Sequence, residues 1–383
     1  MVPFRRFVAL ALSVVALQAY SQTVASRRET LHSAAALIER GELSNAEAEL
    51  QSLLKQAPDD PLALNLLGIV RLRQHNGSEA ENLFRKAVQS GHRIAGPYIN
   101  LAMIYAADRP LEAVAELRQA LLIAPEDRQA VLLLRQVAKD SAGSAMQRGD
   151  KVKAIEVLSK ARAVMPRDPE LLYDSGFLAY ECGSYQEADN WLTEALKIRP
   201  DYSDAQYALA RTYLAENLAK PAEDEMRKYL AQKPEDATAE YGLGYILMAE
   251  ERLDEAKIAF EKSVTLQPEQ TESVYQLGEI ASQKGDDVSA QEDYTKVLAR
   301  DPRHGGALTG LGVLAYRAGK YDEAKSDLQR AISAAPSYQK AHYYYALALS
   351  RLGQKAEAER EFTVAQSLQK LHGGAHHLLA AQP

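Results

Sequence analysis

The 383-residue chain holds a single cysteine, Cys182, and a single tryptophan. One thiol excludes an intramolecular disulfide and any cysteine-based metal site, so thiols do not reveal the redox compartment. Positive charge is in deficit, with 45 Lys and Arg against 52 Asp and Glu and a formal net charge of −7. Binding nucleic acid or anionic lipid takes clustered cations, so this balance disfavours both. Beyond the first 22 residues no stretch approaches 18 consecutive apolar residues, which excludes a further membrane-spanning helix. No phosphate-cradling glycine loop, nucleophile elbow or serine–histidine–aspartate pattern occurs. The eight histidines are scattered: His32, His75, His92, His304, His342, His372, His376 and His377. His372 and His376 have the spacing of a metal pair, but Gly373 and Gly374 weaken any helix between them and no carboxylate completes a site. The expectation is therefore a chain without catalytic residues, metal or cofactor. Asn76-Gly77-Ser78 is a glycosylation sequon in form and reads as an ordinary turn.

What is abundant is tyrosine, at 20 residues against six phenylalanines. Such a surface is aromatic but keeps polar tips. The chain opens with MVPFRRFVALALSVVALQAYSQ, in which Arg5 and Arg6 precede a 14-residue apolar run, Phe7 to Tyr20, and the small residues Ala19 and Ser21. This three-part pattern predicts a secretory signal peptide over 1–21, cut near Ser21. The alternative is an uncleaved amphipathic anchor. No cysteine follows the run, so a bacterial lipid anchor is excluded. The expected location is outside the cytoplasm, in the periplasm.

Downstream, Pro166, Pro200, Pro234, Pro268, Pro302 and Pro336 stand 34 residues apart. Seven residues after each comes Tyr173, Tyr207, Tyr241, Tyr275, then Thr309 as the exception, then Tyr343. Between prolines the pattern is helical: Leu172, Ser175, Gly176 and Ala179 make one stripe, Gly183 suits a left-handed helix end, and Ala188, Leu192 and Ala195 make a second stripe. Proline then breaks the second helix. A small residue recurs in the first helix (Gly176, Ala210, Gly244, Gly278, Gly312, Ala346) and an alanine in the second (Ala188, Ala222, Ala256, Ala290, Ala324, Ala358). A bulky residue follows as Leu192, Met226, Phe260, Tyr294, Leu328 and Phe362. Close helix packing needs that alternation of small and large, and a two-helix unit cannot bury both its faces alone.

Thirty-four residues, two recurrent small positions and a closing proline resemble the tetratricopeptide repeat, over roughly Arg27 to Lys370. The resemblance implies an all-α fold, a right-handed α-solenoid of about ten helix-turn-helix units whose first helices line a concave groove. The expected organisation is degenerate repeats 1–3 over 27–124, a lengthened repeat 4 over 125–168, regular repeats 5–10 over 169–370 and a C-terminal tail, 371–383, that is a capping remnant or a loose end. Pro125 and Pro166 stand 41 residues apart, seven too many. A long first helix, with Val131, Leu134, Ala138, Ala142 and Ala145 in step, would absorb the excess and bend the array; a domain linker is the alternative.

Counting each unit from the residue equivalent to Pro169, positions 2, 5, 9, 12 and 13 share a helix face apart from the packing stripe. Candidate partner-binding residues on it are Tyr173, Phe177, Tyr180, Tyr207, Arg211, Tyr241, Tyr245, Tyr275, Tyr316, Arg317 and Tyr343. Tyrosine offers a large, rigid contact face at low entropy cost. The same rings could instead pack against the neighbouring unit, and both readings stand. Charge on this face is uneven: Glu170, Glu181, Asp204, Glu272 and Glu279 against Arg317, Lys340 and Arg351, which reads first as solvated faces and alternatively as an asymmetry that could orient a partner segment. The Lys and Asn clamp of some tetratricopeptide co-chaperones is absent, since Asn65 and Ile69, then Gln136 and Asp140, flank the one matching residue, Asn100. The expected function is a non-enzymatic scaffold that holds an extended peptide or a helix of a protein partner, in envelope or secretion machinery. The alternative is an accessory that guides an exported polysaccharide over the tyrosines.

Overall fold

The computed structural model describes residues 24–91 and 93–372. The expected signal peptide and all but the first two residues of the expected tail lie outside the described residues, as do His92, His376 and His377.

Regular structure among the described residues is entirely helical, in twenty helices. Contacts divide the chain into two compact units, which meet at Leu178 and Ala179 in sequence. The first holds α1 (24–39), α2 (Leu43–Gln56), α3 (Pro61–Arg73), α4 (Gly77–Gln89), α5 (Gly96–Tyr105), α6 (Pro110–Ile123), α7 (Arg128–Gln147) and α8 (Lys151–Val164), with most of α9 (Pro169–Glu181). The second holds α10 (Tyr185–Ile198), α11 (Ser203–Ala215), α12 (Ala219–Gln232), α13 (Ala237–Ala249), α14 (Leu253–Leu266), α15 (Thr271–Gln283), α16 (Asp287–Arg300), α17 (Gly305–Arg317), α18 (Tyr321–Ala334), α19 (Gln339–Arg351) and α20 (Lys355–His372). In each unit an odd-numbered helix packs on the even one after it, and each pair leans on the next. First helices also touch one another, α3 with α5 and α5 with α7 in the first unit, α15 with α17 and α17 with α19 in the second.

Proline sets where second helices end. The residue before it is pushed out of the helical region by clash with the ring. Arg199 (φ −131°, ψ 88°), Lys233 (−125°, 63°), Gln267 (−135°, 86°) and Ala335 (−135°, 80°) all lie outside the helical region. In nine of the ten pairs the inner turn is set by one left-handed residue, Gly41, His75, Gly149, Gly183, Asn217, Glu251, Gly285, Gly319 or Gly353; the turn between α5 and α6 has none. From Gly149 onward they stand 34 residues apart. Such a residue lets the next N–H reach back to an unpaired carbonyl of the helix end, as Ser184 does to Ala179 (2.9 Å) and Arg252 to Leu247 (3.0 Å).

The small-to-large alternation closes the pairs. Ala188, Ala222, Ala256, Ala290 and Ala324 are fully buried, as are Phe260, Tyr294 and Leu328. A Cβ at Gly244 would lie 2.7 Å from the Phe260 ring, one at Gly278 2.8 Å from Tyr294, and one at Gly312 2.5 Å from Leu328. Any side chain there would force the helices apart.

The long interval is absorbed inside α7, whose 20 residues exceed the 13 of most first helices. Its turn residue, Gly149, keeps the 34-residue distance to Gly183, so the excess lies upstream of it. The buried stripe is Ala130, Leu134, Val137, Ala138, Ala142 and Ala145; Val131, expected within it, is only half-buried. Asp127 caps the helix by accepting the Ala130 N–H (3.0 Å), which fixes Ala130 as the first inward residue.

Ion pairs add links between neighbouring pairs of helices. In the first unit, Asp60 and Asp168 cap α3 and α9 while bonding Arg27 and Arg135. In the second, the Glu223 side chain is 2% exposed and accepts from Lys220 (2.8 Å), Arg227 (2.7 Å) and Arg252 (2.8 Å). Burial alone would raise its pKa; the three cationic donors, Arg252 first, outweigh that and hold it at about 2.

Two outcomes follow from these features. Glu251 holds a left-handed φ of 59° that an L-residue adopts at a cost, so Glu251→Gly should raise the unfolding free energy by about 0.5–1 kcal/mol. A urea midpoint at or below that of the wild type would contradict it. Glu223 is ionised in the folded state down to about pH 2, whereas an unfolded glutamate protonates near 4.5. Its contribution is thus present above pH 4.5 and lost as pH falls toward 2. Glu223→Gln should cost on the order of 2 kcal/mol at pH 7, and the gap should shrink over that window in pH-dependent denaturation.

Candidate functional site

The candidate residues lie on the first helices, and the stacking decides how much of each is exposed. In the first unit, Tyr173 is half-buried and Phe177 is 40% exposed, with ring centroids 6.2 Å apart. The neighbouring carboxyl of Asp174 is pushed up to about 6 by burial, with Lys139 opposing and Glu170 and Asp168 adding to the rise.

In the second unit, Tyr180 is half-buried beside Tyr185 (5.7 Å between centroids) and carries the Arg211 guanidinium over its ring at 4.7 Å. Arg211 Nη2 also donates to the Tyr180 hydroxyl at 3.3 Å, so this cation is held by the wall itself. Tyr207 lies against Tyr229 (5.1 Å), whose hydroxyl donates to Asp236 at 2.6 Å. Tyr241 stands against Phe260 (5.7 Å) and beside Tyr245 (6.3 Å). All three, Tyr207, Tyr241 and Tyr245, remain half-exposed, and burial raises the hydroxyl pKa of Tyr207 and Tyr245.

Tyr275 is different. It sits among Tyr294 (6.1 Å), His304 (4.9 Å) and Gly306, where a Cβ would come within 2.7 Å of its ring. Its hydroxyl lies 3.5 Å from that of Tyr338, and burial, then Glu279, drives its pKa far up. Three of the fifth-position rings thus stack on the bulky second-helix residue of their own pair: Tyr241 on Phe260, Tyr275 on Tyr294 and Tyr343 on Phe362 (5.8 Å). The packing and contact readings are not exclusive, since one face packs and the rest is open at Tyr207, Tyr241 and Tyr343. Tyr343 is 43% exposed; Tyr316 packs between Tyr321 (5.6 Å) and Tyr344 (6.0 Å). Arg317 is exposed and donates to the Ser282 carbonyl at 3.0 Å.

Thr309, which replaces tyrosine in the series, is fully buried and donates to the Gly305 carbonyl (2.8 Å). Several of the charges on this face are engaged within the fold, though only Glu279 and Lys340 bond each other. Glu279 meets Lys340 at 2.8 Å, Glu272 meets His304 at 3.1 Å and Glu170 meets Arg135 at 2.7 Å. Glu181, Asp204 and Arg351 remain exposed.

Sequence reasoning did not single out the first unit's inner positions. On α3, α5 and α7, Leu62, Met103 and Leu132 are 40%, 50% and 62% exposed, and Asn100 donates to Asn65 at 2.9 Å between them. The same position count would have found Leu62; the shortened and lengthened repeats hid Met103 and Leu132. Among the described residues no group of three or more His, Cys, Asp or Glu could hold a metal ion, and no helix is long and apolar enough to cross a membrane.

Three family models match this chain. Residues 225–336 match the tetratricopeptide domain of cytochrome c-type biogenesis protein H, residues 183–243 and 315–381 match one tetratricopeptide repeat model, and residues 31–96 match another. No curated protein matches. Among solved structures, MamA from Desulfovibrio magneticus RS-1 is 28% identical with a TM-score of 0.42, over 45% of this chain and 97% of that one. PilF of Pseudomonas aeruginosa is 22% identical with a TM-score of 0.45, over 54% and 93%. YrrB, described as a tetratricopeptide protein with an unusual peptide-binding site, is 24% identical with a TM-score of 0.43, over 49% and 97%. Repeat period, paired helices and matched models agree: the chain belongs to the tetratricopeptide repeat family.

Proposed function

We propose that this protein is a non-enzymatic scaffold that holds an extended segment or helix of a protein partner on the first helices of its second unit. A tetratricopeptide array is suited to protein–protein interaction, and the matched family models place this chain in that class. The observation that carries the reading is the set Tyr207, Tyr241 and Tyr245, half-exposed on successive first helices and braced from behind by Tyr229 and Phe260. Rings already held by packing lose little freedom when a partner lands on them, so contact area converts more fully into affinity. Arg211, laid over Tyr180, adds a fixed donor at the same wall.

The direct test is selection of binders from a random peptide library on the wild-type protein. Replacing Tyr207, Tyr241 and Tyr245 together by Ala should weaken the selected peptides by at least about tenfold while the helical circular dichroism persists. Unchanged affinity in a folded triple variant would end the reading.

The finer context is also proposed: service outside the cytoplasm, in assembly of envelope or secretion machinery. It rests on Arg5, Arg6 and the apolar run to Tyr20, and is supported by the likeness of residues 225–336 to a domain of a biogenesis protein. N-terminal sequencing of the protein from an osmotic-shock fraction should begin near Ser21. An intact Met1 in the cytoplasmic fraction would refute export.

A further inference from the structure

Two contacts in the second unit skip a repeat. Lys340 Nζ, at the start of α19, donates to Glu279 Oε2 on α15 at 2.8 Å, across 61 residues of chain. The other Glu279 oxygen accepts the Tyr294 hydroxyl at 2.6 Å, so the carboxylate is engaged on both sides. Close by, the Tyr275 and Tyr338 hydroxyls lie 3.5 Å apart, 63 residues distant in sequence. Between them runs α17, with Gly305, Gly306, Thr309 and Val313 where the other first helices carry larger groups. Thr309 is 0% and Val313 2% exposed, so α17 is buried even on the face that should look into the groove. The small residues make this possible, since a side chain at Gly306 would strike Tyr275.

In a repeat array each unit ordinarily contacts only its neighbours, so stability is a sum of local terms and ends can fray one unit at a time. A bond from the eighth pair to the tenth breaks that rule. We propose that Glu279–Lys340 and Tyr275–Tyr338 form a clasp over the ninth pair, which joins α15 through α19 into one cooperative block and closes the inner face of α17. The open wall of the second unit then runs from Tyr180 to Tyr245 and stops short of Thr309. That last consequence rests on the scaffold reading above; the clasp does not.

Hydrogen exchange of the full chain, with no partner added, tests the coupling. Amides of α15, α17 and α19 should open with one common protection. Lys340→Met combined with Tyr338→Phe should speed exchange in α17 and α19 by at least about tenfold while α11 and α13 stay unchanged, and Lys340→Arg should retain protection. A change confined to α19, or none, overturns the block. Closure is tested by placing the near-isosteric Thr309→Cys in a Cys182→Ser background and timing its reaction with N-ethylmaleimide. Reaction should be at least about tenfold slower than when Lys340→Ala and Tyr338→Ala are added; equal rates overturn closure. Loss of the peptide binding described above would leave both results standing.

Discussion

The rest of the structure depends on one contact, repeated: a bulky second-helix side chain seated where the partner helix has none. Phe260 lies against Gly244, Tyr294 against Gly278 and Leu328 against Gly312, each closer than a methyl group would allow. Because the contact leaves no slack, the separation of the two helices is set by atoms rather than by average hydrophobicity. The next pair then meets a surface of fixed shape. The regular 34-residue pitch follows, and with it the regular placing of whatever the first helices carry on their other face.

That explains why the architecture was legible and the site only partly so. Proline acts on the residue before it, a left-handed residue acts on its own turn, and the small–large pair acts within one unit; each is a local rule that reads directly from spacing. Of the two readings left open for the irregular repeat, the long first helix holds, since α7 runs 20 residues, although its inward stripe starts at Ala130 rather than Val131. The pairing of the charges was not legible, for the opposite reason. Glu279 and Lys340 sit two repeats apart, and nothing within either repeat announces that they meet. Read singly they looked like a gradient for a partner; paired, they neutralise each other. The exposed Met103 of α5 and Leu132 of α7 escaped notice because their repeats are shortened or lengthened, whereas Leu62 of α3 was readable from the count and was overlooked.

Tyrosine suits this architecture because one ring can serve both sides of a helix boundary. Its apolar body packs on the second helix and its edge and hydroxyl reach the open side. Phenylalanine would serve the first purpose and leave an apolar edge in water; a smaller polar residue would serve neither. The abundance of tyrosine over phenylalanine is thus a consequence of stacking pairs whose seam is also their exposed wall.

What each ring packs against is set in part by the following unit, although Tyr207, Tyr241 and Tyr275 are all half-buried. The residue after it at the second position is Thr238 for Tyr207 and Glu272 for Tyr241, and both rings remain half-exposed. For Tyr275 that residue is Gly306, and the ring sinks into the space a side chain would have taken. A glycine at the second position of a first helix therefore admits the ring of the preceding unit, which a Cβ there would displace.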